Sequence, residues 1–172
     1  MDVTFKLGNG GRTCGWVAFR PPRTRVPGAT MAAGRDVPHD LATFVIEKAL
    51  GIDGGFWGCV AAGATFRSLG RRRTKQGTAV IQHHLDELNE AERRVNGVSF
   101  AWRRGEPTPA TEELDRMLNL WKQLPPDGEL VVEWPRRAER RRQHGFRAGS
   151  GSEKGRGLSP RRRPARSSSR SR

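Results

Sequence analysis

The feature that most limits this chain is how little apolar material follows Trp134. Across residues 135–172 the large aliphatic and aromatic side chains are Phe146 and Leu158 alone, set among Arg, Gly, Ser and Pro. Such a segment cannot bury enough apolar surface to offset the entropy lost on ordering it. Folding is therefore expected within residues 1–134, a length that suits a single domain. Residues 135–172 are expected to form a disordered tail.

Charge divides at the same place. Residues 1–134 hold 18 Lys+Arg against 16 Asp+Glu, a net of +2, and residues 135–172 hold 14 against 2, a net of +12. The chain's +14 and its pI near 11.5 thus belong to the tail. The body is close to neutral, which argues against reading it as a basic nucleic-acid module. Arginine outnumbers lysine 27 to 5. Either selection for guanidinium groups, which grip phosphate through two parallel hydrogen bonds, or coding bias in a GC-rich genome produces that skew.

Within the body, Val3, Phe5 and Leu7 alternate with Thr4 and Lys6, and after Gly8-Asn9-Gly10-Gly11 the residues Cys14, Trp16 and Ala18 alternate with Thr13 and Val17. Period-two alternation around a permissive turn predicts a β-hairpin. Pro21, Pro22, Pro27 and Gly28 predict a long irregular loop up to Asp36. A first helix is expected from about Asp36–Pro38 to Gly51, and a second from about Gly54 to Leu69, capped by Asp53. Two strips of small residues along that second helix, Gly54-Gly58-Ala62 and Gly55-Cys59-Gly63, invite close packing against the first.

Thr78 is expected to cap a third helix reaching about Val95, with Ile81, Leu85, Leu88 and Val95 on its apolar face. Thr108-Pro109 opens a fourth, buried through Leu114, Met117, Leu118 and Trp121. Pro125 to Gly128 stops it, and Leu130, Val132 and Trp134 mark a last strand. The expected fold class is α+β: a small antiparallel sheet, made of the N-terminal hairpin and a C-terminal strand, packed against about four helices. An isolated hairpin is marginal in water, which favours recruiting residues 129–134 as a third strand.

Cys14 and Cys59 lie in apolar surroundings without a CxxC pattern, so buried free thiols in a reducing compartment are expected. No stretch approaches the roughly 20 apolar residues of a membrane span, and the N-terminus "MDVTFKL" lacks a signal-like apolar run. The expected location is the cytoplasm, with no membrane partner.

The first helix carries the one constellation with ligand chemistry. Stepping about 100° per residue, His39, Thr43, Glu47 and Asp40 fall within one narrow polar stripe on an otherwise apolar surface. His39 and Glu47 are the candidate metal ligands. They stand two turns apart, roughly 12 Å at 1.5 Å per residue, so a further His or carboxylate such as His83 or His84 would have to join them. The competing reading makes the stripe structural: Asp40 favours the helix dipole, and Glu47 forms surface ion pairs. His83 and His84 point about 100° apart and cannot chelate one ion as an i, i+4 pair does.

The stretch "VPHDLATFVIEKALGIDGGFWGCVAAGATF" resembles a segment of small uncharacterised bacterial proteins with a Pro-His-Asp-Leu-x-x-Phe-Val-x-Glu helix followed by Gly-Phe-x-Gly and a run of small residues. The resemblance covers residues 37–66 and implies no known activity. Its members often carry His where this chain has Thr43, a departure that weakens a ligand role for this stripe.

No Gly-x-Ser-x-Gly elbow, P-loop lysine or dinucleotide fingerprint occurs, and no cofactor is predicted. In the tail, Arg136, Arg137, Arg140, Arg141, Arg142, Arg161, Arg162, Arg163 and Arg166 are candidate contacts to nucleic acid or another polyanion. The expected function is that of a non-enzymatic interaction protein whose cationic tail touches a polyanion without reading sequence. The alternative is a metal-binding protein or metal-dependent enzyme with its site on the polar stripe.

Overall fold

A computed structural model describes residues 1–22, 24–33, 36–66 and 74–135. The expected disordered tail beyond Pro135, the nine tail arginines and the last residues assigned to the second helix lie outside that set. The hairpin forms as the alternation predicts: β1 (Asp2–Gly8) pairs antiparallel with β2 (Thr13–Arg20) across a turn in which Asn9, Gly10 and Gly11 all have positive φ. Strand β3 (Thr24–Pro27) and the short β4 (Met31–Ala32) both pair with β2, and β5 (Glu129–Glu133) pairs antiparallel with β1. The sheet order is β3-β2-β1-β5. Two strands therefore stand where an irregular loop was expected. Pro27 sits at the end of an edge strand, where its missing N–H removes no ladder bond, and Val26 beside it is buried.

The register explains the alternation. Val132, Val3, Ala18 and Val26 form one row across the inner face, and Leu130, Phe5 and Trp16 form the next. Val3, Phe5, Trp16, Ala18 and Val26 are all buried, whereas Val131 and Phe19 on the opposite face are exposed. Helix α1 (His39–Ala49) lies over the inner face, with the Phe44 ring edge-on to Phe5 at 6.3 Å and to Trp134 at 5.2 Å. Burying a side chain such as Phe44 is worth roughly 2–3 kcal/mol.

Around α1 pack α2 (Phe56–Ala62), α4 (Leu85–Arg103) and α5 (Thr111–Lys122), while α3 (Lys75–His83) leans on α2. The architecture is α+β, as expected, with five α-helices among the described residues rather than about four. The expected third helix divides at His84, whose φ of −108° and ψ of 17° break the helical path. Its N-cap is Thr74, which accepts the Gly77 N–H at 2.9 Å, and not Thr78. Helix α4 runs on through Asn96-Gly97 because Ala91, Val95, Val98 and Trp102 continue one apolar face. Leu85, expected on that face, is exposed instead, since the break at His84 rotates it out.

Helix α2 is much shorter than expected. Gly63 takes a left-handed conformation at φ 108°, and the N–H of Ala64 reaches back to the Cys59 carbonyl at 2.9 Å, closing the helix end. Cys14 and Cys59 are buried free thiols. No described helix is long and apolar enough to cross a membrane.

Candidate functional site

The polar stripe of α1 turns inward and outward at different points. Glu47 is 1% exposed, and its two carboxylate oxygens accept the backbone N–H groups of Phe56 at 2.7 Å and Trp57 at 2.9 Å. Those are the first two N–H groups of α2, which have no partner within their own helix. A carboxylate placed there meets the positive end of the helix dipole as well as two donors. Glu47 therefore caps α2 from a neighbouring helix. The expectation that Asp53 caps it is corrected: the N-cap position is Gly55, in extended backbone with no side-chain cap of its own. Glu47 is also buried, not on the surface where it was expected.

Gly54 and Gly55 make this arrangement possible. A Cβ at Gly55 would overlap the Glu47 carboxylate, and one at Gly54 would overlap the side chain of Glu87 on α4. The small residues thus serve two different neighbours, α1 and α4. Gly58 instead clears the Asp53 carbonyl inside its own turn.

Asp40 holds two indoles. Its Oδ2 accepts the Trp16 Nε1–H at 2.7 Å, and its backbone carbonyl accepts the Trp57 Nε1–H at 3.1 Å. The two rings lie 4.6 Å apart. Thr43 donates its hydroxyl to the His39 carbonyl at 2.9 Å. His39 points to solvent, its side chain 68% exposed, with Nδ1 3.3 Å from Asp40 Oδ1. That hydrogen bond raises the pKa of His39 above its ordinary 6.5, against a smaller opposing effect of desolvation.

Of the two candidate metal ligands, Glu47 faces the core and the α2 terminus while His39 faces solvent. No group of three or more His, Cys, Asp or Glu suited to a metal ion occurs among the described residues. His83 is exposed and His84 half-buried, the latter paired through Nδ1 with Glu87 Oε2 at 2.6 Å.

A concavity lies elsewhere among the described residues. A groove of about 990 Å³ runs between α2 and the first half of α4. Gly54, Gly58, Ala61 and Ala62 form one wall, with Asp53 at its end; His84, Glu87, Glu90 and Arg94 rise on the other. Asp86, Met1, Trp134 and Pro135 line it as well. The volume matches that of ligand-binding clefts. Among the described residues, Asp53, Asp86, Glu87 and Glu90 place four carboxylates along the groove beside Arg94. Asp86, Glu87 and Glu90 all come from the first half of α4. Gly54, expected to pack against the first helix, instead lets Glu87 of α4 approach its bare backbone.

Burial raises the pKa of Cys14 from the ordinary 9.0 to about 12, with the nearby Asp40 charge adding to it. Burial does the same at Cys59, reinforced by Glu47 and Glu87. Neither thiol is activated as a nucleophile. Compared with protein-family models, curated proteins and solved structures, the chain matches none.

Proposed function

We propose that this chain is a non-enzymatic interaction protein in which a near-neutral α+β body carries an arginine-rich segment that engages nucleic acid or another polyanion without reading sequence. One observation carries this reading: a net of +12 falls in residues 135–172 and only +2 in residues 1–134. Arginines on phosphates release condensed counterions, which gives affinity without base recognition. A metal-dependent reading would draw on Glu47, whose two oxygens each accept a backbone N–H of α2.

The test compares the parent chain with a variant in which Arg136, Arg137, Arg140, Arg141 and Arg142 are all Gln, using anisotropy of a labelled DNA duplex across salt. Each lost phosphate contact removes about 0.9 from the slope of log affinity against log salt, so five contacts flatten it by up to about 4.5. Equal affinity and equal slope for parent and variant would refute the role of these arginines.

A further inference from the structure

The two faces of the sheet differ in what meets them. Helix α1 lies over the face of Val3, Phe5, Trp16 and Ala18, while on the other face Phe19 is 46% and Val131 64% exposed. Strand pairing fixes what stands beside them, because side chains two apart on a strand share a face. Across β5, β1, β2 and β3 one outer row reads Glu133, Asp2, Phe19, Arg25, and the next reads Val131, Thr4, Val17, Pro27. A third row carries Glu129, Lys6 and Gly15, with Lys6 and Glu129 paired at 3.6 Å. Asp2, Arg25 and Glu133 form no ion pair among the described residues. An apolar row is thus bordered by a row whose acidic and basic ends stand on opposite edge strands, three strand spacings or about 14 Å apart.

We propose that this outer face docks a second copy of the chain, the two sheets packing face to face about a twofold axis parallel to the strands. Under that symmetry each row meets itself reversed. Glu133 of each copy then stands opposite Arg25 of the other, Val131 opposite Pro27, and Val17 opposite Thr4. Asp2 faces the Phe19 ring, and no like charges meet. The charge pattern also selects against the other arrangements of two copies. A twofold axis running across the strands would set Glu133 over Glu129 of the other copy, twice. Edge-to-edge pairing of β5 with β5, centred on Val131, would set the same two glutamates opposite each other, and like charges there are destabilising. At ordinary strand spacings the face projects roughly 300 Å² per copy, well below the roughly 800 Å² of a standard interface. The dimer is therefore a weak one, with a dissociation constant on the order of 0.1–1 mM.

The experiment follows amide spectra and sedimentation of the full chain from tens of micromolar to about 1 mM, in about 0.15 M salt. The sample is freed of nucleic acid, because a polyanion shared by two chains would also report as association; the result is then independent of what residues 135–172 bind. Signals of Thr4, Val17, Phe19 and Val131 should move with concentration as the sedimentation coefficient rises. Arg25→Glu and Glu133→Arg each turn two attractive contacts into two repulsive ones, so each variant alone should dissociate about tenfold more readily than the parent. An equimolar mixture of the two variants should associate about as tightly as the parent. One chain is then acidic at both positions and the other basic at both, which restores both contacts.

Arg25 and Glu133 are both exposed, so neither reversal should disturb the fold, and equal thermal midpoints for parent and variants check this. Val131→Lys, at a position 64% exposed, should abolish association without either reversal. Spectra of the parent that do not change up to about 1 mM overturn the proposal, since a dimer of this size would be partly populated there. A mixture no tighter than its two components also overturns it, as does association that survives Val131→Lys. Shifts confined to β5, as edge pairing would give, overturn the face-to-face arrangement.

Discussion

Oε2 of Glu47 accepts the backbone N–H of Trp57 at 2.9 Å in the interior, between the third turn of α1 and the first turn of α2. With Oε1 on Phe56 at 2.7 Å, one side chain satisfies two donors that the short helix cannot satisfy itself. A seven-residue helix is too short to persist by propensity, so α2 depends on this cap and on the burial of Trp57 and Val60.

Replacing Glu47 should therefore cost more than its single position on α1 suggests. Glu47→Ala leaves one buried and one part-buried N–H group without this acceptor, and Glu47→Gln turns an amide donor toward one of them. We expect a loss of roughly 2–4 kcal/mol for Ala and a somewhat smaller loss for Gln. Urea unfolding measures it, and amide exchange at Phe56 and Trp57 should accelerate with it. A change within about 0.5 kcal/mol, the range of ordinary surface substitutions, would contradict the capping role.

Two glycines should respond in opposite directions to the same substitution. Gly55→Ala places a methyl group on the Glu47 carboxylate and is expected to destabilise by about 1–3 kcal/mol. Gly97 lies inside α4, where an added Cβ meets nothing within 4 Å. Gly97→Ala should stabilise by roughly 0.5–1 kcal/mol through helix propensity. Thermal unfolding of the pair decides: a stabilising Gly55→Ala would remove the steric argument.

The thiols should be inert until the body opens. With both pKa values raised by burial from 9.0 to about 12, a disulfide reagent at pH 8 should modify neither Cys14 nor Cys59 in the native chain and both after denaturation. The linkage has a definite sign. The folded state disfavours the thiolate, so this contribution to stability is whole below pH 9 and declines as pH rises from there toward 12. Rapid native labelling of either cysteine would contradict their burial.

His39 should titrate above 6.5, because its hydrogen bond to Asp40 favours the imidazolium. Its raised folded value means that the contribution to stability is present below pH 6.5 and is lost as pH rises through the folded value. Solvent screening at a side chain 68% exposed keeps the effect small. An NMR titration of the ring, repeated in Asp40→Asn, measures it: the midpoint should fall in the variant. An unchanged midpoint would show that Asp40 is not the cause.

The parts legible in the sequence were those set by local periodicity. Val3, Phe5, Cys14, Trp16 and Ala18 announce their inward face because side chains alternate on a strand whatever packs above them. The α5 face of Leu114, Met117 and Trp121 follows from the helical period in the same way. The end of α2 at Gly63 and the break at His84 were not legible, since a glycine inside an apolar run and a His-His pair each fit a continuing helix equally well. For the polar stripe, spacing alone brought His39 and Glu47 to neighbouring angles on a helical wheel, but it carried no information about what each would face.

By itself the sequence determined the division between a near-neutral body and a strongly cationic segment, because net charge and apolar content are sums over residues and need no coordinates. It also determined the α+β class, because periodicities of two and of about 3.6 are properties of the chain. Only the tertiary structure decided that Glu47 is buried, that Asp40 receives two indoles, and that a groove of about 990 Å³ opens where the described chain ends. Those outcomes depend on which distant backbone donor or bare glycine comes alongside, and such partners are chosen by packing across the sheet rather than by neighbours in sequence.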